Sequence, residues 1–223
     1  MDSSFLRFSS ITKKIWMACL GLFLMMFLLV HLGINLCLLR DDGGKWFSAA
    51  AHFMGTNYIV KVFEVVLFGG FILHILLGII LQMQNWLARP VRYNITNRTT
   101  TPFLSKYMIY TGGIVLFFLI LHMMNFYFIK IGWVANSNFH ADGEPDFYTI
   151  ANQLFKIPLY DVLYIFFFIV LGFHLNHAFQ AACQTLGIQH PTYNLCVLRF
   201  GLVYAIVVPL GFILIPLYIY FIR

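Results

Sequence analysis

The chain has 223 residues, of which 61% are hydrophobic and only 10% are charged, and its formal net charge is +6. Soluble domains carry about 25% charged residues, so this composition excludes a soluble domain and indicates an integral membrane protein. The positive charge does not indicate a nucleic-acid partner, because its distribution around the apolar segments matters more than its sum.

Five apolar segments lack Asp, Glu, Lys and Arg over roughly the 20 residues that cross a hydrocarbon core of ~30 Å. We expect transmembrane helices at residues 15–39, 58–88, 106–130, 159–184 and 197–222. The second helix starts at Tyr58, so that Lys61 and Glu64 lie in its first turns. The first run is too long for a signal peptide and no small-residue cleavage site follows it, which indicates a retained helix. The predicted fold class is all-α, with residues 1–223 forming a single membrane domain, an up-and-down bundle of five helices.

The basic residues predict how the bundle is oriented. If the N-terminus is cytoplasmic, more of the Lys and Arg residues lie inside than outside, and most of the acidic residues lie outside. The decisive group is the connection between the second and third helices, which carries Arg89, Arg92 and Arg98. The positive-inside rule therefore predicts a cytoplasmic N-terminus and a C-terminus on the outer side.

Each of the first four predicted helices carries a histidine deep inside its apolar run, and the fifth carries none. An imidazole at that depth needs a partner, because an unsatisfied polar group in hydrocarbon costs several kcal/mol. His31 and His122 follow inner-side lysines at similar separations, which places both in the outer half, about 25 Å from the inner charges. His74 and His174 follow outer-side charges at equal separations, which places both toward the inner half.

Two imidazoles on opposing helices of a bundle are the axial ligands of a six-coordinate b-type haem. The depths therefore predict an outer haem held by His31 and His122 and an inner haem held by His74 and His174. The sequence contains no C-x-x-C-H motif, so each haem would be bound non-covalently. The alternative for each histidine is a structural hydrogen bond to a neighbouring helix. A zinc or copper site is disfavoured, because its ligands would gather at one depth.

Small residues flank the two inner histidines. Gly70 and Gly78 lie one turn before and one turn after His74 on the same helix face, and Ala178 lies one turn after His174. These positions predict room for a flat macrocycle close to the backbone.

His177 is an alternative to His174 as the inner ligand, since it lies three residues further along the same helix. The depth comparison favours His174. His177 would then contact a haem propionate, a quinone or the fifth helix.

This pattern resembles a known family, the five-helix, di-haem cytochrome b anchor subunits of succinate dehydrogenase and fumarate reductase. The resemblance covers essentially the whole chain: five spans, one axial histidine in each of the first four helices and none in the fifth. The fourth helix carries G-F-H-L-N-H-A-F-Q-A-A-C-Q-T-L-G, which is similar to the family motif in which a glycine follows the axial histidine by four residues. Ala178 stands in place of that glycine. In that family the outer haem takes its ligands from the first and third helices and the inner haem from the second and fourth, which is the pairing that the depths predict.

The resemblance implies two b haems in a subunit that does not itself oxidise succinate. It implies a flavoprotein subunit and an iron–sulfur subunit in the same complex, the latter docked on the basic inner connection. It also implies menaquinone as the membrane quinone, and a multi-pass location in a bacterial inner (cytoplasmic) membrane. The direction of turnover and the pairing of two heterotrimers into a dimer stay open.

Glu64 lies inside a predicted span, in the outer half of the second helix. An intramembrane carboxylate is a functional candidate by default. We expect Glu64 to accept or deliver protons for quinone chemistry at the outer haem. The alternative is an ion pair with Lys61, three residues earlier on the same helix face.

Two other functions stay open at this point. The first is a di-haem cytochrome b subunit of another membrane dehydrogenase, of the hydrogenase or formate dehydrogenase type. The second is a small transporter without haem, whose histidines would be structural or would relay protons. An inverted repeat or broken helices would favour the transporter, and the sequence shows neither.

Overall fold

The computed structural model describes residues 9–87, 108–139, 143–188 and 194–223. Within these ranges the chain is built of helices and contains no β-strand, only an isolated bridge between Phe139 and Pro145. The predicted basic connection with Arg89, Arg92 and Arg98 lies outside the described residues.

Five helices are long and apolar enough to cross a membrane, which confirms the prediction of a multi-pass all-α membrane protein. They are α1 (Ser10–Leu36), α3 (Tyr58–Leu87), α4 (Met108–Lys130), α6 (Pro158–Thr185) and α7 (Asn194–Phe221). A short 3₁₀ turn, Cys37–Leu39, continues α1. The second long helix begins at Tyr58, and the predicted limits at residues 88 and 106 lie outside the described residues.

Two shorter helices connect the long ones, and neither was predicted. They are α2 (Lys45–Thr56), between α1 and α3, and α5 (Phe147–Phe155), between α4 and α6. The Asp146 side chain caps α5 by accepting a hydrogen bond from the backbone N–H of Thr149 at 3.1 Å, the usual role of Asp at this position. One face of α5 is buried, so the helix covers one end of the bundle.

Arg223 joins the segments at that end. Its guanidinium donates to the backbone carbonyl of Arg40 at 3.0 Å and to Asn152 Oδ1 at 3.2 Å. It also lies 5.2 Å from the centre of the Tyr148 ring. The end of α1, the helix α5 and the end of α7 therefore share one end of the bundle, as the predicted topology requires. We call this the outer end, after the orientation that the charges predict.

The core of the bundle is formed by α1, α6 and α7, which pack closely. Glycine allows the closest approach between α6 and α7: a Cβ added at Gly172 would lie 2.9 Å from the backbone oxygen of Ala205. Phe168 and Phe212 stack between the same two helices with ring centres 5.3 Å apart. The helix α7 carries Pro209 and Pro216 inside it, both buried. Its described contacts are those of a packing helix.

The remaining long helices lie against this core from two sides. The main contacts of α3 are with α1 and those of α4 are with α6, whereas α3 and α4 have few contacts with each other. Gly70 is the one residue of α3 that is fully buried.

Candidate functional site

The outer pair of histidines, His31 and His122, joins α1 to α4. The centres of the two imidazole rings are 5.8 Å apart and their planes cross at 87°. These are the two residues that the depth comparison places at one level in the outer half.

Aromatic side chains surround the outer pair. Phe27 stacks on His31 at 5.3 Å, and Phe212 from α7 lies 5.8 Å from the same imidazole. Phe126 lies 5.1 Å from the ring of His122. These aromatic neighbours cannot satisfy the ring nitrogens, and a buried nitrogen without a hydrogen bond or a metal costs free energy.

One polar side chain lies beside His31. Asn35, one turn later in α1, donates its amide N–H to the carbonyl oxygen of His31 at 2.8 Å, and the same nitrogen is 3.5 Å from the Nδ1 atom of His31. Asn35 therefore lies at the Nδ1 edge of the His31 ring.

The inner pair, His74 and His174, joins α3 to α6. The ring centres are 6.5 Å apart and the planes cross at 77°. The hydroxyl of Thr111 on α4 lies 3.3 Å from His174 Nδ1. A Cβ added at Gly112 would be 3.5 Å from His174 Cε1, and one added at Gly21 would be 3.7 Å from His74 Cε1. Two glycines that the sequence analysis did not single out thus lie directly against the inner imidazoles.

A glycine in an apolar helix is a signal of close packing, so Gly21 and Gly112 could have been noticed as such. Their relation to the inner pair could not, because it depends on which helix faces which. The contact between Thr111 and His174 could not be predicted either, because the two residues lie on different helices.

The predicted space beside His74 is occupied by side chains of α1. A Cβ added at Gly70 would lie 3.2 Å from Phe23 Cε1, and one added at Gly78 would lie 3.4 Å from Met17 Cε. These two glycines therefore accommodate Phe23 and Met17, and a macrocycle at this position requires both flexible side chains to turn away.

Of the two neighbouring histidines in α6, His174 is the one whose ring meets His74. His177 lies on the next turn and is half-buried. Ala178, one turn after His174, is a partly buried residue packed against the core. The arrangement places His174 between the two inner helices and His177 to one side of the pair.

The two pairs have the donor chemistry of a centre with two axial imidazoles. A metal–imidazole bond is about 2 Å, so two rings that bind one ion from opposite sides have centres about 6 Å apart. The measured separations lie on either side of that value. In each pair one Nδ1 atom, that of His122 or of His74, is buried without a hydrogen-bond partner among the described residues. Buried polar atoms are normally paired, so each of these two nitrogens requires a partner that the described residues do not provide.

Within the described ranges, no three His, Cys, Asp or Glu side chains come together as they do in a zinc or copper centre. The four intramembrane histidines lie instead as two pairs, and each pair joins two different helices.

Glu64 forms an ion pair with Lys130 of α4, its Oε2 atom 3.3 Å from Nζ. The predicted alternative, a pair with Lys61 on the same helix, is therefore not the contact that the structure shows. The pair borders a cavity of about 310 Å³ that is open to the surroundings of the bundle rather than enclosed, lined by Lys61, Glu64, Val65, Phe68, Tyr127 and Lys130. Charged groups thus lie in a largely apolar recess near the outer end.

The helix α4 changes its winding directly after His122. Met123–Tyr127 form a π-helical turn, and Phe128–Lys130 return to the α conformation. Such turns occur frequently at functional sites. Asn125, within the turn, donates its amide N–H to the hydroxyl oxygen of Tyr164 in α6 at 2.9 Å. No feature of the sequence signals this turn.

No family model matches the chain, and neither a curated protein nor a solved structure matches it. The two histidine pairs and the Glu64 cavity are thus the features on which a function can be proposed.

Proposed function

We propose that the chain is the di-haem cytochrome b membrane anchor of a succinate:quinone oxidoreductase, that is, of a succinate dehydrogenase or fumarate reductase. The observation that supports this most is the pairing of four intramembrane histidines from four helices into two ring contacts. The similarity of the fourth-helix segment to the family motif narrows the class from di-haem cytochromes in general to these anchors.

In this proposal the outer pair holds one b haem and the inner pair holds the other. Bound haem supplies one-electron transfer. The chain positions a ligand: the Thr111 hydroxyl donates to the carbonyl oxygen of Met108 and can accept a hydrogen bond from the Nδ1–H of His174, which orients that ring. Such outer partners of a ligating histidine set its orientation and its basicity. Gly21 and Gly112 keep the inner imidazoles close to the neighbouring backbones.

The cavity beside Glu64 is the proposed site of quinone chemistry. Reduction of a quinone to a quinol takes up two electrons and two protons, and oxidation releases them. Lys61, Lys130 and the Tyr127 hydroxyl can donate hydrogen bonds to quinone carbonyl oxygens, and Glu64 can exchange protons with the same oxygens. The apolar part of the lining suits the quinone ring. We assign menaquinone to this site on the family resemblance.

The proposed complex has three kinds of subunit. A flavoprotein subunit oxidises succinate or reduces fumarate, and an iron–sulfur subunit passes electrons to this chain at its inner face. The location is a bacterial inner membrane with the N-terminus in the cytoplasm, which puts the histidine pair nearer Arg223 on the outer side. Labelling of single cysteines introduced in α2 and α5 from outside intact cells tests that orientation.

Purification of the tagged chain from its native membrane tests the function. We expect a flavoprotein and an iron–sulfur protein to copurify, and succinate to reduce b-type haem absorbance that added quinone then reoxidises. A haem-containing complex with hydrogenase or formate dehydrogenase subunits would instead support the other cytochrome b class. A folded, haem-free chain would support the transporter. The histidine rings of each pair would then be in direct edge-to-face contact, which gives a similar distance between ring centres.

A further inference from the structure

Tyr164 of α6 is the most deeply buried tyrosine of the outer half, with 1% of its surface exposed. Its ring packs against Phe155 at 5.0 Å and against Phe118 at 5.3 Å. These neighbours cannot form a hydrogen bond with its hydroxyl. A tyrosine hydroxyl in such surroundings normally has polar partners, so the groups that reach it define its role.

Asn125 provides one of these partners. Its amide N–H donates to the oxygen of the Tyr164 hydroxyl at 2.9 Å. Since a hydroxyl oxygen can accept two hydrogen bonds and donate one, this contact leaves one acceptor position and the hydrogen of Tyr164 unused among the described residues. Asn125 therefore fixes the position of the oxygen without satisfying it.

His122 is the neighbouring group with an unmet requirement. Its Nδ1 atom is buried and has no hydrogen-bond partner among the described residues. The centres of the His122 and Tyr164 rings are 6.2 Å apart, with the planes at 60°. A buried donor without a partner destabilises a protein by about 1–3 kcal/mol. The two rings thus lie side by side, and each carries a polar atom with unused hydrogen-bonding capacity. A water bonded to both atoms would satisfy that capacity.

The π-helical turn separates the two α4 residues involved. His122 is the last residue before the turn and faces His31 in α1, whereas Asn125 lies within the turn and faces Tyr164 in α6. The wider turn thus separates the residue whose ring meets His31 from the residue that bonds to the Tyr164 hydroxyl. The helix α4 presents a candidate ligand to one core helix and the group that fixes Tyr164 to the other.

We propose that Tyr164, held by Asn125, is the positioning residue of the outer ligand His122: it accepts a hydrogen bond from the Nδ1–H of His122 through one bridging water. This inference rests on the proposed function. A histidine that binds iron through Nε2 carries its hydrogen on Nδ1 and needs an acceptor there. The acceptor makes the imidazole a stronger donor, which favours the oxidised iron and lowers the reduction potential of the outer haem relative to an unpaired ligand.

The test is an anaerobic redox titration of the purified complex with both haems followed by absorbance and by electron paramagnetic resonance. We expect Tyr164→Phe to raise the midpoint potential of the outer haem and to change its resonance signal while the inner haem keeps both properties. Asn125→Ala should move the outer potential in the same direction by less, because the hydroxyl remains but is no longer held. The His174→Ala variant, which lacks an inner ligand, identifies which wave is the outer one.

Tyr204→Phe is the matched control. The Tyr204 hydroxyl also lies in the bundle, but it donates to the backbone carbonyl of Met25 at 2.7 Å. We expect its removal to change neither potential. An unchanged outer potential in Tyr164→Phe, or equal shifts of both haems, would overturn the inference while the haem content still supports the proposed function. If Tyr164→Phe loses its outer haem, the Asn125→Ala shift decides. A haem-free wild-type chain would overturn both.

Discussion

Lys130 of α4 and Glu64 of α3 form an ion pair of 3.3 Å, and each side chain keeps about a quarter of its surface exposed. The two helices otherwise have few contacts with each other. The pair therefore closes the outer part of the gap between them and forms one wall of the cavity that we assign to the quinone.

Removal of the Glu64 carboxylate tests the proton role. In Glu64→Gln, which keeps the size of the side chain, we expect both haems to remain and quinone turnover to fall by about a hundredfold, because proton transfer by a positioned group contributes about 10²–10⁴. Lys61→Gln changes a second charged residue of the same cavity that is not the partner of Glu64, and it should retain more activity. Normal turnover by Glu64→Gln with both haems bound would exclude the proton role.

The π-helical turn can be removed by deleting Met124, which lies inside it. We expect the deletion to return α4 to a regular helix and to rotate everything after it, so that the contacts of Asn125 with Tyr164 and of Lys130 with Glu64 are both lost. The haem of the outer pair should be lost or altered in its spectrum, and the inner haem should be retained. The measurement is haem content and the low-temperature absorbance spectrum.

Met124→Leu controls for the side chain, because Met124 is 46% exposed and the substitution keeps the chain length. It should behave as the wild type. Loss of both haems in the deletion would show general misfolding rather than a local change of register, and an unchanged outer spectrum would show that the turn has no role.

The glycines of α4 offer a matched pair for the inner site. A Cβ at Gly112 would lie 3.5 Å from His174 Cε1, whereas one at Gly113 would meet nothing within 4 Å. We expect Gly112→Leu to displace the His174 ring and to reduce the haem content from two to one per chain. Gly113→Leu should keep two. Equal haem content in the two variants would contradict the assignment of His174 as a ligand.

The close contact between α6 and α7 contributes to the free energy of unfolding. A Cβ at Gly172 would lie 2.9 Å from the backbone oxygen of Ala205, which cannot move away as a flexible side chain can. We expect Gly172→Ala to lower the free energy of unfolding in detergent by about 1–3 kcal/mol through overpacking. Gly69→Ala, where the added Cβ meets nothing, should be neutral or stabilising. Equal stability of the two variants would argue against a close α6–α7 contact.

The five long helices could be predicted because the thickness of the hydrocarbon core sets a minimum length for an apolar segment. The histidine pairs could be predicted for a related reason: the charged residues at the helix ends mark the membrane surfaces, and the helical rise converts residue number into depth. The ring contacts of His31 with His122 and of His74 with His174 join the residues so paired.

The remaining features depend on which helix faces meet, and depth carries no information about that. The partner of Glu64 is Lys130 rather than Lys61, because the fold brings the end of α4 to α3. Gly70 and Gly78 admit Phe23 and Met17 for the same reason. The short helices α2 and α5 lack a long apolar run, so hydropathy does not reveal them.

The haem content of the folded chain tests the central claim most directly. The measurement is a dithionite-reduced minus oxidised spectrum, with haem quantified per polypeptide, for the wild type and for His122→Ala and His174→Ala. We predict two b-type haems per chain in the wild type and one in each variant, with different spectra remaining. A properly folded wild-type chain that binds no haem when haem is abundant would contradict the account.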